Sequence, residues 1–138
     1  MVLIDSSIWI EAARRDGDLK VKLGLKSLLS ELEAVLCGPA RLEVLGGSRQ
    51  NERERMEHGF SCLPFLHVLD KDWLSAVEHA WQLRDAGITV PWNDILIATL
   101  AVRAKMRVYA KDKHFDSMAP VLGFTLYEPG CGGMYRPA

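Results

Sequence analysis

Short apolar segments that stop at an acid or a turn most constrain the fold of this chain. Val2–Ile4 is entirely apolar and is followed at once by Asp5, and Ala34–Cys37 is closed by Gly38 and Pro39. A strand with one solvated face alternates between apolar and polar residues, so continuous apolar runs of this length predict strands buried on both faces. The sequence therefore predicts a covered sheet.

Amphipathic segments separate these runs. Residues 18–33 carry six leucines on one broad stripe, as expected of a helix packed on a core. Further helices are predicted at 8–15, 41–45, 51–60, 70–87 and 94–105, and further strands at 66–69, 107–110 and 124–127. Alternating strands and helices predict an α/β fold of three layers, with helices on both faces of a mainly parallel sheet of about 4–5 strands.

Length and composition set the class of protein. With 138 residues, 49% of them hydrophobic and 25% charged, the chain is typical of one folded domain, and we expect that domain to span 1–138. Residues 130–138 are expected to be a flexible or partner-contacting tail. No apolar run is long enough for a signal peptide or a membrane span, and three cysteines without a pairing pattern suit a reducing cytoplasm. We expect a cytoplasmic protein without membrane contact.

Acidic residues lie where predicted strands end or the following helices begin. Asp5 and Asp112 follow strands, Glu43 lies early in its helix, and Asp94 lies in the first turn of helix 94–105. Ligands of open α/β sheets bind beyond the carboxyl ends of the strands, so we expect these side chains to share one edge. Asp94 alone also fits a capping role, which is worth roughly 0.3–1 kcal/mol near a helix N-terminus, and Asp5 and Asp112 also fit turn or cap positions.

Four carboxylates at one edge would need a cation. Two carboxylates about 4 Å apart repel by on the order of 4 kcal/mol at an effective dielectric constant of 20. Oxygen ligands without a Cys/His set suit Mg²⁺ or Mn²⁺ better than zinc. Mg²⁺ also retains water molecules that can attack a phosphodiester, so the pattern favours metal-assisted hydrolysis.

Four segments together resemble the PIN-domain nucleases, and among them the VapC toxins of bacterial toxin–antitoxin pairs. The segments are VLIDSSIWI, RLEVL, WNDILIAT and VYAKDKHF, in the family's order over nearly the whole chain. The resemblance implies the three-layer PIN fold and a Mg²⁺-dependent endoribonuclease, with Mn²⁺ able to substitute. It also implies RNA as substrate and a small antitoxin protein as partner, and we expect a homodimer.

The same resemblance assigns roles to the acids. It makes Asp5, Glu43, Asp94 and Asp112 the catalytic residues, with Asp5, Asp94 and Asp112 as metal ligands. One departure concerns the last motif, where Ala110 stands in place of the Thr or Ser that many relatives carry two residues before the final acid. A hydroxyl that often supports the pocket is therefore missing.

Polar neighbours of the acids are candidates for supporting roles. Asp116, one helical turn beyond Asp112, is placed to complete the metal site or to support its ligands, and Ser7 is placed to orient a carboxylate or a metal-bound water. Lys111 and Lys113 flank Asp112 and are placed to meet RNA phosphates by charge alone. The net charge of −1 gives no overall basic field, so such a local patch is needed.

The first two helices carry more apolar residues than a short helix pair needs for its own packing. Part of this set is predicted to bind an amphipathic segment of a partner whose arginine reaches the acids, with core packing as the alternative. The candidates are Ile8, Trp9, Leu19, Leu23 and Leu28. Trp73 and Trp81, on the stripe of helix 70–87, fit a core or an interface position, and of the two we favour the core.

The histidines are scattered without ligand spacing, which is typical of surface or packing residues. They are His58, His67, His79 and His114. Only His114, close to the last acid, merits a test.

Other functions also place acids at strand ends. A phospho-signalling receiver domain would carry paired acids after its first strand, whereas Asp5 stands alone. A dehalogenase-type phosphatase would carry a second Asp where Ser7 stands. A PIN fold used only for binding would be expected to lack one of the four acids. The remaining alternative is a housekeeping PIN-domain RNA-processing nuclease, which the neighbouring gene would distinguish from a toxin.

Overall fold

The computed structural model describes residues 1–130 and the backbone of 134–136. The tail predicted at 130–138 therefore lies mostly outside the described residues. None of the described helices is long and apolar enough to cross a membrane. In chain order the elements are β1 (Val2–Ile4), α1 (Ser6–Ala13), α2 (Leu19–Ser30), β2 (Ala34–Cys37), α3 (Gly38–Gly46), α4 (Arg53–Ser61), β3 (Phe65–Leu66), α5 (Asp70–Asp85), α6 (Trp92–Ala104), β4 (Arg107–Tyr109), α7 (Lys113–Leu122), β5 (Glu128–Gly130) and β6 (Met134–Arg136).

The main sheet has four parallel strands in the order β3-β2-β1-β4. Strand β1 is central, with Val2 opposite Ala34 on one side and opposite Arg107 on the other. The strand predicted at 124–127 is reduced to one parallel bridge between Leu126 and Val108. Strands β5 and β6 form a separate antiparallel pair.

Two apolar cores cover the two faces of the sheet. Alternate residues of β1 point to opposite sides, since Val2 and Ile4 pack with α1 and α2 while Leu3 packs with α3, α6 and α7. All three side chains are completely buried. Burial on both faces explains why the strand reads as a continuous apolar run, and the predicted three-layer α/β/α fold is confirmed.

Helix α7 was not among the predicted elements, although its sequence carries a helical pattern. Phe115, Met118 and Leu122 are buried at helical spacing, and the helix ends at Gly123 with a left-handed φ of 82°. Pro120 lies inside it, and an internal proline normally argues against a helix. This helix is important for the site, because its N-cap is Asp112.

The prediction that Trp73 and Trp81 lie in the core was wrong. Trp73 is 58% exposed and Trp81 is 62% exposed. Helix α5 instead packs through the adjacent stripe of Ala76, Ala80 and Leu83. Because residues four apart share a face of a helix, Trp73 and Trp81 fall together on the neighbouring, solvent-facing stripe.

Candidate metal centre

Asp5 stands at the centre of the carboxyl edge of the sheet. It follows the central strand β1 and is the N-cap of α1, so strand end and helix start fix its position. Its Oδ2 accepts hydrogen bonds from the Ser7 hydroxyl at 2.6 Å and the Ser7 backbone N–H at 3.1 Å. The backbone N–H of Asp5 donates to the Tyr109 carbonyl at 2.9 Å, which ties β1 to β4 at this edge.

The second carboxylate oxygen of Asp5 has no hydrogen-bond partner among the residues that the structure describes. Oδ1 is buried and accepts no hydrogen bond within the described part of the chain. Burial raises the pKa of Asp5 to about 6, the hydrogen bonds from Ser7 oppose the rise, and the charges of Asp94 and Asp112 add to it. Buried polar atoms normally have partners, so this carboxylate is suited to a cation.

Asp94 lies in the first turn of α6 and continues the buried face of that helix. Ile97 and Ala98 behind it are completely buried, and Asp94 itself is only 6% exposed. Its Oδ2 lies 2.8 Å from Nδ1 of His114. Burial raises the pKa of the Asp94 carboxyl, while the hydrogen bond and charge of His114 lower it.

Asp112 completes a compact group. It is exposed, and its side chain makes no capping hydrogen bond to α7. One potential ligand atom from each of Asp94, Asp112 and His114 lies within 4.8 Å of the others. The sheet edge thus brings Asp94 and Asp112 together with His114, and Asp5 is close enough for the charges of both acids to raise its pKa.

Glu43 reaches the same edge from α3, where it is exposed. Its Oε2 accepts a hydrogen bond from the Ser6 hydroxyl at 2.8 Å, and its Oε1 accepts one from the Asn93 amide. Ser6 directly follows Asp5 in the chain, and Asn93 directly precedes Asp94. Sequence reasoning missed Ser6 and Asn93, because both contacts join elements far apart in the chain.

The residues predicted to support the acids have different surroundings. The Ser7 hydroxyl, besides donating to Asp5, accepts from the backbone N–H of Lys111 at 2.9 Å, so it fixes both strand ends. The Lys111 ammonium lies 3.0 Å from the buried carboxylate of Glu11, a residue not singled out from the sequence. Lys113 is exposed and has no ion pair among the described residues.

A shallow cavity of about 490 Å³ adjoins the acids. Ser6, Ser7, Ile10, Glu11, Glu43, Lys111, Asp112 and Lys113 line it. Asp116 lies in a separate depression, with Tyr109 and Tyr127, and is not drawn into the acid group. The cavity therefore combines carboxylates, lysines and one apolar side chain.

The residues present fit a hard divalent cation. Carboxylate oxygens dominate the donor set, and the buried Oδ1 of Asp5 lacks a partner within residues 1–130. Repulsion between the carboxylates helps to raise the pKa values of Asp5 and Asp94. Small hard ions such as Mg²⁺ and Mn²⁺ take carboxylate ligands of this kind. Asp5, Asp94 and Asp112 are the residues that could hold such an ion.

The predicted partner-binding set divides between core and surface. Ile8 and Leu28 are completely buried, so they belong to the core and cannot present a surface. Leu19 and Leu23 are 67% and 46% exposed. Trp9 is half-buried and packs edge-on against Phe60 with ring centroids 5.1 Å apart. Of the residues predicted to bind a partner, only Leu19, Leu23 and the half-buried Trp9 have side-chain surface available for that role.

Comparison with known proteins assigns the family. The model of the PIN domain matches residues 2–120. VapC ribonuclease Mb1587 of Mycobacterium bovis and ribonuclease VapC11 of Mycobacterium tuberculosis are each 36% identical over 126 residues, covering 88% of this chain and 93% of theirs.

Solved structures share the fold at lower identity. FitAB bound to the IR36 DNA fragment has a TM-score of 0.77 at 20% identity, covering 91% of this chain and 93% of that chain. VapBC2 of Rickettsia felis, bound to a DNA fragment from its promoter, has a TM-score of 0.73 at 17% identity, covering 91% and 97%. The chain therefore belongs to the PIN-domain family, among its VapC-type members.

Proposed function

We propose that this protein is a Mg²⁺-dependent endoribonuclease and the toxin of a toxin–antitoxin pair, with Mn²⁺ able to replace Mg²⁺. The proposal rests on the buried oxygen of Asp5, which has no hydrogen-bond partner in the described part of the chain, and on the charges of Asp94 and Asp112, which raise the pKa of this carboxyl. Relatives that are named VapC ribonucleases support the choice of RNA as substrate.

The chain's own residues prepare the site for phosphodiester hydrolysis. Asp5, Asp94 and Asp112 would hold the ion, which when bound supplies a water of lowered pKa and neutralises charge on the phosphate. Ser7 fixes the orientation of Asp5 through two hydrogen bonds. The exposed ammonium of Lys113 is available to an RNA phosphate, whereas that of Lys111 is engaged by Glu11.

A cleavage assay tests this proposal. Purified wild-type protein should cut labelled single-stranded RNA in Mg²⁺ or Mn²⁺ and stop when EDTA is added. Asp94→Asn should lower the rate on the order of 100-fold or more, because ligand charge is needed to activate the water. Asp16→Asn, an exposed acid outside the cavity, is the matched control. Cleavage that continues in excess EDTA would exclude a metal mechanism.

The exposed residues of α1 and α2 support an antitoxin-binding surface. Ile10, which lines the acid cavity, is 46% exposed, and Leu19 and Leu23 are also exposed. An amphipathic segment laid on this surface could extend an arginine into the acids as a bidentate partner. The solved VapBC2 complex from Rickettsia felis shows that a structural neighbour is found with a second protein.

Growth and binding experiments separate this surface from catalysis. Expression of the chain alone should arrest bacterial growth, and the cognate antitoxin should relieve the arrest. Leu23→Asp should prevent formation of the complex while RNA cleavage persists. Leu32→Asp, at an exposed position just after α2, should leave complex formation intact. A folded, RNA-cleaving wild type that never affects growth would favour the housekeeping RNA-processing alternative.

The exposed tryptophans support the expected homodimer. Trp73, Val77, Trp81 and Trp92 are each at least 47% exposed and line one groove of about 790 Å³ between α5 and α6. Large contiguous apolar surfaces of this kind typically mark protein interfaces. Trp81→Arg should shift the protein from dimer to monomer in light scattering after gel filtration. A wild-type protein that is monomeric at micromolar concentration would contradict the proposal.

We also place the protein in the cytoplasm. Cys37 is a buried free thiol and Cys62 an exposed one, which is typical of reducing compartments. In the cytoplasm the protein would encounter its RNA substrate and a partner protein made from a neighbouring gene.

A further inference from the structure

We propose that His114 is a nitrogen ligand of the metal ion and that the centre consequently prefers Mn²⁺ to Mg²⁺. The inference rests on the proposed metal-dependent function and specifies which ion the site selects. A histidine ligand differs from the site of oxygen ligands alone that the sequence predicts.

The geometry of three side chains leads to this proposal. His114 lies in the first turn of α7, two residues after Asp112, and its Nδ1 is 2.8 Å from Oδ2 of Asp94. Neighbouring ligands on an octahedral ion at about 2.1 Å lie about 3 Å apart, and opposite ligands about 4.2 Å. The 4.8 Å that encloses the donor atoms of Asp94, Asp112 and His114 is close to the span of one coordination shell.

A second observation points to a ligand at the same place. Oδ1 of Asp5 is buried without a hydrogen-bond partner in the described chain, and the charges of Asp94 and Asp112 contribute to the raised pKa of this carboxyl. Asp94, Asp112 and His114 form a mixed oxygen and nitrogen donor set, which the nearby carboxylate of Asp5 can extend. Such a set is incomplete without a cation.

The surroundings of His114 leave its imidazole ring free to rotate toward a bound ion. Its side chain is 44% exposed, so core packing does not lock the imidazole. Asp94 is the one hydrogen-bond partner of the ring within the described residues. Without an ion, the imidazole donates its Nδ1–H to Asp94. With the proton on Nε2 instead, Nδ1 becomes an electron-pair donor that can share an ion with the Asp94 oxygen.

The nitrogen ligand determines the choice of ion. Mg²⁺ takes oxygen ligands and retains several waters, whereas imidazole binds first-row transition ions. Mn²⁺ accepts both carboxylate and imidazole, so adding His114 to three acids increases affinity for Mn²⁺ more than for Mg²⁺. The four acids without a histidine would favour Mn²⁺ much less.

Binding of Mn²⁺ to the full-length chain tests the proposal without an activity assay. Metal-free protein is titrated with Mn²⁺ while free Mn²⁺ is followed by electron paramagnetic resonance, and Mg²⁺ affinity is obtained by competition. Pulsed measurements on the bound Mn²⁺ should detect coupling to an imidazole ¹⁴N. His114→Gln should abolish that coupling and lower Mn²⁺ affinity on the order of tenfold, with a smaller change for Mg²⁺.

The exposed His58 on α4 provides the matched control, since His58→Gln should change neither affinity nor coupling. Wild-type protein that binds Mn²⁺ without ¹⁴N coupling would overturn the proposal, whether or not His114→Gln folds. Equal losses of Mn²⁺ and Mg²⁺ affinity in His114→Gln would also overturn it, because His114 would then only orient Asp94. Wild-type protein that binds neither ion would instead refute the proposed metal-dependent function.

Discussion

Removing the charge of Asp5 should stabilise the metal-free protein, even though the residue caps α1. Burial, with the charges of Asp94 and Asp112, raises the pKa of this carboxyl from 3.8 to about 6 against the hydrogen bonds from Ser7. The folded chain therefore holds the proton more tightly than the unfolded chain. This contribution to stability is fully present below about pH 3.8 and is lost as the pH rises through about 6.

The size of the effect follows from the two pKa values. A rise from 3.8 to about 6 is about two tenfold steps in proton affinity, or about 3 kcal/mol at about 1.4 kcal/mol each. Near pH 8 the ionised Asp5 thus destabilises the metal-free fold by about 3 kcal/mol, and near pH 4.5 by about 1 kcal/mol. Asn is neutral and keeps an oxygen for Ser7, so Asp5→Asn should recover most of this free energy.

Urea unfolding in EDTA at both pH values measures the difference directly. Asp5→Asn should have the higher unfolding free energy near pH 8, and the advantage should shrink near pH 4.5. Added Mn²⁺ should reverse the order by stabilising the wild type alone. Asp16→Asn, at an exposed position, controls for loss of a surface charge. A variant that is less stable than wild type near pH 8 in EDTA would refute the reasoning.

Three further changes have definite expected results. Arg103→Ala should lower the unfolding free energy by about 3–5 kcal/mol, because it removes the ion pair, 2.7 Å long, of Asp72, which is only 1% exposed. A loss of under about 1 kcal/mol in urea titration would contradict this. Lys113→Ala should weaken RNA binding and reduce the slope of log affinity against log salt by about 0.7; an unchanged slope would exclude phosphate contact. Gly24→Ala should destabilise by about 1–3 kcal/mol in thermal unfolding, since its Cβ would lie 2.6 Å from the Tyr109 hydroxyl; wild-type stability would show that the tyrosine moves freely.

Local patterns predicted the parts of the site that one segment determines. Val2–Ile4 followed by Asp5 specifies a buried strand whose end carries an acid, and the structure has that arrangement. The position of Asp94 at the start of a buried helical face was likewise predictable from the sequence, because Ile97 and Ala98 follow at helical spacing. In both cases the period of side-chain burial fixes the direction in which the acid lies.

Contacts between distant segments were not predictable in the same way. The pairing of His114 with Asp94 joins residues 20 apart, and that of Asn93 with Glu43 joins residues 50 apart. Such contacts depend on how α3, α6 and α7 converge at the sheet edge. No local pattern in a single sequence encodes the distance between these side chains.

Helix α5 shows a second limit of local patterns. Its sequence offers two adjacent apolar stripes, one through Ala76, Ala80 and Leu83 and one through Trp73 and Trp81. Hydrophobicity favours the tryptophans for the core, but the small residues allow α5 to approach α6 closely. Which stripe packs is decided by the neighbouring helix, whose position the sequence of α5 does not contain.

Anomalous X-ray scattering from Mn²⁺ in crystals of the full-length protein would test the proposed metal centre most directly. We expect a strong peak at the carboxyl edge of the sheet, about 2.2 Å from carboxylate oxygens of Asp5, Asp94 and Asp112. The peak should disappear in crystals of Asp94→Asn grown in the same way. Crystals of the wild-type protein that are saturated with Mn²⁺ and show no peak among these three residues would contradict the account.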